Sequence, residues 1–223
     1  RGFPAAPCAL ALGSVGPGRD REALRRSYDD TEAAVATVDL TDEGSIRTLA
    51  AEVGPVDHVV STASARARGL VSALEPEAVL LSFHTKVVGP IMLAKHFAPT
   101  MPADGSFVLL SGVAALEPDP GFLGVAATNG AVNTVVRSLA VELAPIRVNA
   151  VSPGTIDTGA WDPLGERKKA ELFARLSAGN PSGRIGTPED VAHAVLFALT
   201  NTFLTGVCLP VDGGQPLRVA TGA

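Results

Sequence analysis

Residues 121–158 read GFLGVAATNGAVNTVVRSLAVELAPIRVNAVSPGTIDT. Small and apolar residues run without a proline from Gly124 to Leu143, which predicts a long helix over about 124–143. Pro145 ends it. Ile146-Arg147-Val148-Asn149-Ala150-Val151 follows as a short apolar strand, and Ser152-Pro153-Gly154-Thr155 breaks out at its carboxyl end. In an open parallel sheet, ligands bind at that end of the strands.

The same alternation extends in both directions. Upstream, Ser106-Phe107-Val108-Leu109-Leu110-Ser111 has the continuous apolar centre of a strand buried on both faces, and 112–120 is a loop. A helix starts with Pro76 at its first position and runs to about Lys95, with a kink expected at Pro90. Val56-Asp57-His58-Val59-Val60 is a strand running into Ser61-Thr62-Ala63-Ser64. Before it, Thr41 is the expected N-cap of a helix whose apolar face is Ile46, Leu49, Ala50 and Val53, with Gly54 at its end. A strand over 35–40 precedes that helix. Further back, Cys8-Ala9-Leu10-Ala11-Leu12 is a strand or a helix tail, 13–18 is a Gly-rich turn, and 19–27 is a polar helical segment. Downstream, 166–178 is an amphipathic helix carrying Leu172, Phe173 and Leu176. Residues 181–186 form a loop, and Thr187 caps a helix with Pro188 at its first position. Residues 206–211 are the last strand. No repeat or linker divides the chain, so strands alternating with helices predict a single α/β domain over 1–223 with one doubly wound parallel sheet.

Of the 223 residues, 46% are hydrophobic and 4% aromatic, enough for one domain with an aliphatic core. The net charge of -5, with no basic run beyond Arg25-Arg26 and Lys168-Lys169, gives no footprint for nucleic acid. Those pairs are expected on solvated helix faces. The mean hydropathy of +0.27 fits a globule. No apolar run reaches the about 18 residues of a membrane span, and no signal peptide is seen. Cys8 and Cys208 have neither metal nor disulfide-framework spacing, and both are expected as buried small hydrophobes in a reducing cytoplasm. The sequence opens on Arg1 rather than Met, which leaves its true start open.

Four segments together resemble the short-chain dehydrogenase/reductase family. Asp39-Leu40-Thr41-Asp42 is similar to its adenine-contacting turn. Arg147-Val148-Asn149-Ala150-Val151-Ser152-Pro153-Gly154 is similar to its nicotinamide-side strand and loop. Residues 183–192, GRIGTPEDVA, resemble its late loop and helix. Thr205-Gly206 with Val211-Asp212-Gly213-Gly214 resembles its last strand. Each is weak alone; in this order they are specific.

The resemblance implies a Rossmann-like sheet and a nicotinamide cofactor. Gly13, Gly16 and Gly18 could form the phosphate turn, with Asp39 about 20 residues on; they read equally well as a surface turn. The segment after them is too polar to pack on a buried sheet. In the family register Arg19 instead ends the second strand, leaving residues 1–18 short of the about 30 residues of a complete unit. The N-terminal strand and Gly loop are therefore expected to be shortened or altered. From that position Arg19 could meet a 2′-phosphate, favouring NADP over NAD; otherwise it is a solvated arginine at a helix start. By the same resemblance Asp39 and Leu40 flank the adenine. Ser61, Thr62 and Ala63, with Ser64, stand where the family carries Asn-Asn-Ala-Gly. Pro153, Gly154, Ile156 and Thr158 lie along the nicotinamide, with the Thr158 hydroxyl free to bond a carboxamide.

The family's acid–base chemistry uses a Tyr, a Lys four residues later, a Ser and an Asn. Here Val125 falls at the Tyr position and Asn129 at the Lys position, and Tyr28 is the only tyrosine. Lys86 occupies the Asn position. Gly112 aligns best with the Ser, with Ser111 one residue earlier. The candidate catalytic residues are therefore Ser111, Lys86 and Asn129, with Lys86 as a relocated acid or as a plain helix lysine, and Thr128 as a further hydroxyl. His84 and His96 are expected as helix-surface or core histidines. Two functions follow. One is a cytoplasmic NADP(H)-dependent oxidoreductase acting on a small carbonyl or alcohol with an atypical site. The other is an inactive dinucleotide-binding or scaffold protein of the same fold. The small-residue helices at about 76–100 and 124–143 imply, by resemblance, a homodimer or homotetramer. No metal, nucleic acid or membrane partner is expected.

Overall fold

A computed structural model describes residues 10–14 and 34–217. Cys8, Gly16, Gly18, Arg19 and the polar segment 19–27 lie outside the described residues. The strands are β1 (Leu10–Ser14), β2 (Ala34–Val38), β3 (His58–Ser61), β4 (Ser106–Leu110), β5 (Arg147–Pro153) and β6 (Cys208–Val211). All pairings among them are parallel: β1 with β2, and β3-β4-β5-β6 in that order. Parallel strands need crossovers, and the helices α1 (Glu43–Val53), α2 (Pro76–Phe83), α3 (Gly89–Phe97), α4 (Leu123–Glu142), α5 (Glu166–Gly179) and α6 (Pro188–Thr200) fill them. The fold is an α/β Rossmann-like one.

Alternation along the central strands sends side chains to two cores. Phe107 and Leu109 of β4 and Val148 and Ala150 of β5 pack with Ile46, Leu93, Phe97, Val132 and Val136 from α1, α3 and α4. Val108 and Val151 face the other way, onto α6 through Ala198. The continuous apolar centre expected for β4 is thus buried on both sides. Asn149 is also fully buried; its side chain donates to Leu204 O and accepts from Val207 N, tying β5 to the approach to β6.

Several boundaries differ from expectation. Gly13 is not in a turn: it lies within β1, paired with Thr37. The first cap is Asp42, not Thr41; Asp42 Oδ1 accepts from Gly44 N at 2.8 Å, while Thr41 donates to Asp39. β5 continues through Ser152 to Pro153, so the break comes at Gly154. Thr187 and Pro188 do open α6, with a complete capping box to Asp190.

Within Pro76–Thr100 an 18-residue window reaches a mean hydropathy of 1.3, long and apolar enough to cross a membrane by length and composition, contrary to the expectation that no run qualifies. One face packs Leu93, Ala94 and Phe97 into the core, while Leu80, Leu81 and Val88 stay exposed. The segment is not one regular helix. His84–Val88 is a π-turn in which Gly89 N–H donates to His84 O. The distortion precedes Pro90, which has no N–H to give. Gly89 is required at the join: a Cβ there would lie 2.9 Å from Leu40 Cβ and 3.0 Å from Leu40 O.

Candidate functional site

The carboxyl ends of β3, β4 and β5 lie along one edge of the sheet, and the π-turn and α4 pack beside them. An extra residue per turn rotates the helix surface, and Thr85 and Lys86 of the π-turn are consecutively buried. Lys86 Nζ donates to Ser111 O at 2.9 Å, where the chain leaves β4. Burial, with the nearby charge of Arg66 adding to it, lowers the Lys86 pKa from 10.5 to about 8. At neutral pH the side chain is therefore a poised, mostly protonated ammonium with donors beyond the one given to Ser111.

Ser111 is buried as well. Its hydroxyl donates to Asn133 Oδ1 at 2.7 Å and approaches Asn129 O at 3.1 Å. Asn129 Nδ2 donates to Gly112 O at 3.2 Å, while Asn129 Oδ1 is buried without a hydrogen-bond partner. An orphaned buried acceptor costs about 1–3 kcal/mol until a donor reaches it. Lys86, Ser111 and Asn129, distant in sequence, are thus one connected cluster. Val125, one turn before Asn129, brings no titratable group. Thr128 is not available as a hydroxyl for chemistry as its proton is directed at Gly124 O and Val125 O within the helix.

One member of this neighbourhood, Asn133, was not singled out from the sequence, and Cys208 was expected only as a buried small hydrophobe. Asn133 orients the Ser111 hydroxyl; its place one helical turn after Asn129 was the available signal. Cys208 is half-buried rather than a plain core residue. Desolvation raises its thiol pKa, while the hydroxyls of Ser111 and Ser152 beside it favour the thiolate.

The residues read as cofactor contacts fall in three places. At the end of β2, the Asp39 carboxylate accepts from Thr41 N and Thr41 Oγ at 2.8 and 2.7 Å, and Asp39 N donates to Ser45 Oγ. Leu40, next to it, is buried against Gly89. Ser61 ends β3 buried, followed by exposed Thr62 and half-buried Ala63. After β5, Pro153 is the last strand residue and Gly154 N donates to Val211 O at 3.0 Å. Ile156 bridges to Gly186, which ties this loop to the one before α6. Thr158 Oγ accepts from Ala160 N at 3.4 Å and so caps the turn Gly159–Leu164, keeping its hydroxyl proton. Gly13 lies in β1, and Gly16, Gly18 and Arg19 are outside the described residues.

On the neighbouring elements several charged groups pair with one another. His96 sits 3.0 Å from Glu43, which also binds Lys95, so His96 belongs to an ion-pair network. Lys169 is not solvated freely as expected. It holds Asp157 and Asp162 at 2.8 and 2.9 Å, which raises its pKa and fastens α5 to the post-β5 loop. A hollow of about 430 Å³ lined by Ile156, Arg184, Asp190, His193 and Asp212 opens on the far side of that loop, and Lys86, Ser111 and Asn129 do not line it.

A family profile described as enoyl-(acyl carrier protein) reductase matches residues 3–215. A short-chain dehydrogenase/reductase of Stachybotrys chlorohalonatus, ATR9, is 32% identical over 222 residues, covering 94% of this chain and 87% of that one. A Xanthobacter autotrophicus protein named inactive 2-(S)-hydroxypropyl-CoM dehydrogenase 2 is 35% identical over 190 residues, covering 79% and 82%. A crystal structure of a small-chain dehydrogenase in complex with NADPH superposes with a TM-score of 0.80 at 32% identity, covering 95% of this chain and 100% of that one. The profile match, the sequence relatives and the shared fold show that the chain belongs to the short-chain dehydrogenase/reductase family.

Proposed function

We propose that this chain is an NADP(H)-dependent oxidoreductase that reduces a small carbonyl compound, with Lys86 in place of the usual phenol as proton donor. The observation that carries the reading is the buried Lys86 ammonium, held by Ser111 O at 2.9 Å beside the open carboxyl ends of β4 and β5. The orphaned Asn129 Oδ1 and the spare Lys86 donors fit a polar ligand such as the nicotinamide ribose or the substrate. The NADPH held by the solved relative supports the choice of cofactor.

When bound, the reduced cofactor supplies a hydride to the carbonyl carbon. Lys86 gives a proton from Nζ to the carbonyl oxygen as it becomes an alcohol, and is left neutral, to be reprotonated from solvent. Asn129, whose amide keeps a second N–H beyond the one given to Gly112 O, orients the oxygen, while Ser111 holds the Lys86 ammonium through its carbonyl and is itself fixed by its hydroxyl bond to Asn133. Pro153, Gly154, Ile156 and Thr158 hold the nicotinamide end, and Asp39 and Leu40 the adenine end. The exposed Leu80, Leu81 and Val88 of the α2–α3 unit, with Leu123 and Val141 of α4, give the apolar faces for a homodimer or homotetramer, which we place in the cytoplasm.

A second reading is a dinucleotide-binding protein without turnover. The missing phenol at Val125 favours it, as does the relative named inactive. NADPH binding followed by fluorescence, with a screen of carbonyl compounds, separates the two. Binding with oxidation supports the reductase; binding without oxidation of NADPH on any carbonyl supports the second.

A further inference from the structure

The segment that leaves β3 carries Arg66 and Arg68 to the same sheet edge as Lys86. It is held firmly. Ala67 between them is buried against the start of α4, where a Cβ on Gly124 would come 2.7 Å from Ala67 Cβ. Gly69 N donates to Gly121 O at 3.0 Å. With Ala67 facing in, both arginine side chains are exposed.

The Arg68 guanidinium lies over two rings, Phe122 at 4.8 Å and Trp161 at 5.6 Å. Phe122 precedes α4 and Trp161 sits in the turn after Thr158, so three loops at the carboxyl edge meet on this one cation. Trp161 is fixed in turn: its indole N–H donates to Ile156 O at 2.9 Å, and its ring meets Phe173 edge-on at 6.2 Å. Aromatic faces hold a guanidinium by its plane and leave its N–H edge for a ligand.

No carboxylate pairs with Arg66, Arg68 or Lys86 among the described residues. Elsewhere Lys95, Arg167 and Arg184 each take one and Lys169 takes two. Acid is not scarce in a chain of net charge -5. Arg66 is close enough for its charge to disfavour protonation of both Arg68 and Lys86. Arg66 thus repels both Arg68 and Lys86, a standing electrostatic cost that an anionic ligand removes.

We propose that Arg66 and the ring-stacked Arg68 bind a carboxylate of the substrate, so that the compound reduced is an oxo acid. The inference rests on the reductase reading for the reaction and goes beyond it in naming the substrate class. The carboxylate end sits on the two arginines and the carbonyl end reaches Lys86; Phe122 and Trp161 cover the stem between.

The test uses the full chain, a panel of oxo acids, their methyl esters, and the variants Arg66→Gln and Arg68→Gln, with thermal melting to verify folding. The wild type is expected to prefer acid over ester by at least tenfold in kcat/KM. Each variant is expected to collapse that ratio through a higher KM for the acid. Arg68→Lys, which keeps the charge but loses the planar stacking, should recover part of it. Equal kcat/KM for acid and ester in the wild type would overturn the proposal. So would a tenfold weaker NADPH Kd in the variants, which would assign the arginines to the cofactor's phosphates. If no carbonyl is turned over, the reductase reading fails on its own, and calorimetry with the same oxo acids decides this one: binding lost in Arg68→Gln supports it, and no binding to the wild type overturns it.

Discussion

The ammonium of Lys86 and the carbonyl of Ser111, 25 positions apart in sequence, meet at 2.9 Å in a buried setting. One partner comes from a π-turn, the other from the end of a central strand. Burial at that contact, with the charge of Arg66 nearby, sets both the acidity of Lys86 and its cost to the fold.

That cost has a pH signature. The folded pKa of about 8 lies below the ordinary 10.5, so the folded state binds fewer protons than the unfolded one between those values. The penalty is fully present below pH 8 and is relieved as pH rises toward 10.5. Its size is about 3 kcal/mol at most. Wild type should therefore gain stability relative to Lys86→Met across that window. Urea unfolding of both proteins from pH 7 to 10.5 measures the difference; parallel pH profiles would contradict a buried, depressed lysine.

Gly89→Ala places a methyl 2.9 Å from Leu40 Cβ and 3.0 Å from Leu40 O. The neighbour on one side is backbone, so relief requires moving the turn over Asp39–Asp42. A loss of about 1–3 kcal/mol is expected by urea unfolding, with weakened NADPH binding alongside.

Arg147 is buried in β5, and its guanidinium donates to the carbonyls of Ala198, Leu199 and Asn201 at 2.7–2.9 Å. It thereby closes the carboxyl end of α6 and favours that end's partial negative charge. Arg147→Met should cost about 2–3 kcal/mol in unfolding and leave NADPH affinity intact. A change below about 0.5 kcal/mol would show that water replaces the cap without loss.

Ser111→Ala removes the donor to Asn133 Oδ1 while leaving the carbonyl that Lys86 uses. On the proposed mechanism, kcat/KM falls about 10–100-fold and the pH profile keeps its shape, because the strand end that positions Lys86 is loosened while the acid itself is kept. Steady-state rates from pH 6 to 10 check both parts.

The sequence disclosed what local chemistry dictates. The apolar centre of β4 and the Thr187-Pro188 start of α6 were legible because propensity and capping act within a few residues. Lys86, Ser111 and Asn129 could be picked out by family likeness, and the fold brings them together. Three features were hidden for physical reasons. Asp42 and Thr41 are both competent caps, and only backbone geometry chose between them. Pro90 marked a kink in the helix over 76–95, but nothing local says that it takes the form of a π-turn over His84–Val88. The work of Arg147 and Arg68 depends on carbonyls and rings supplied by segments about 50 or more residues away.

The most direct measurement is NADPH oxidation by wild type and Lys86→Met on the oxo-acid panel from pH 6 to 10, with NADPH binding followed in parallel. The wild-type kcat/KM should fall as pH rises through about 8, where Lys86 loses its proton. Lys86→Met should bind NADPH yet turn over at least about a hundredfold more slowly. Wild-type rates in Lys86→Met, or a wild-type profile flat through pH 8, would contradict proton donation by Lys86.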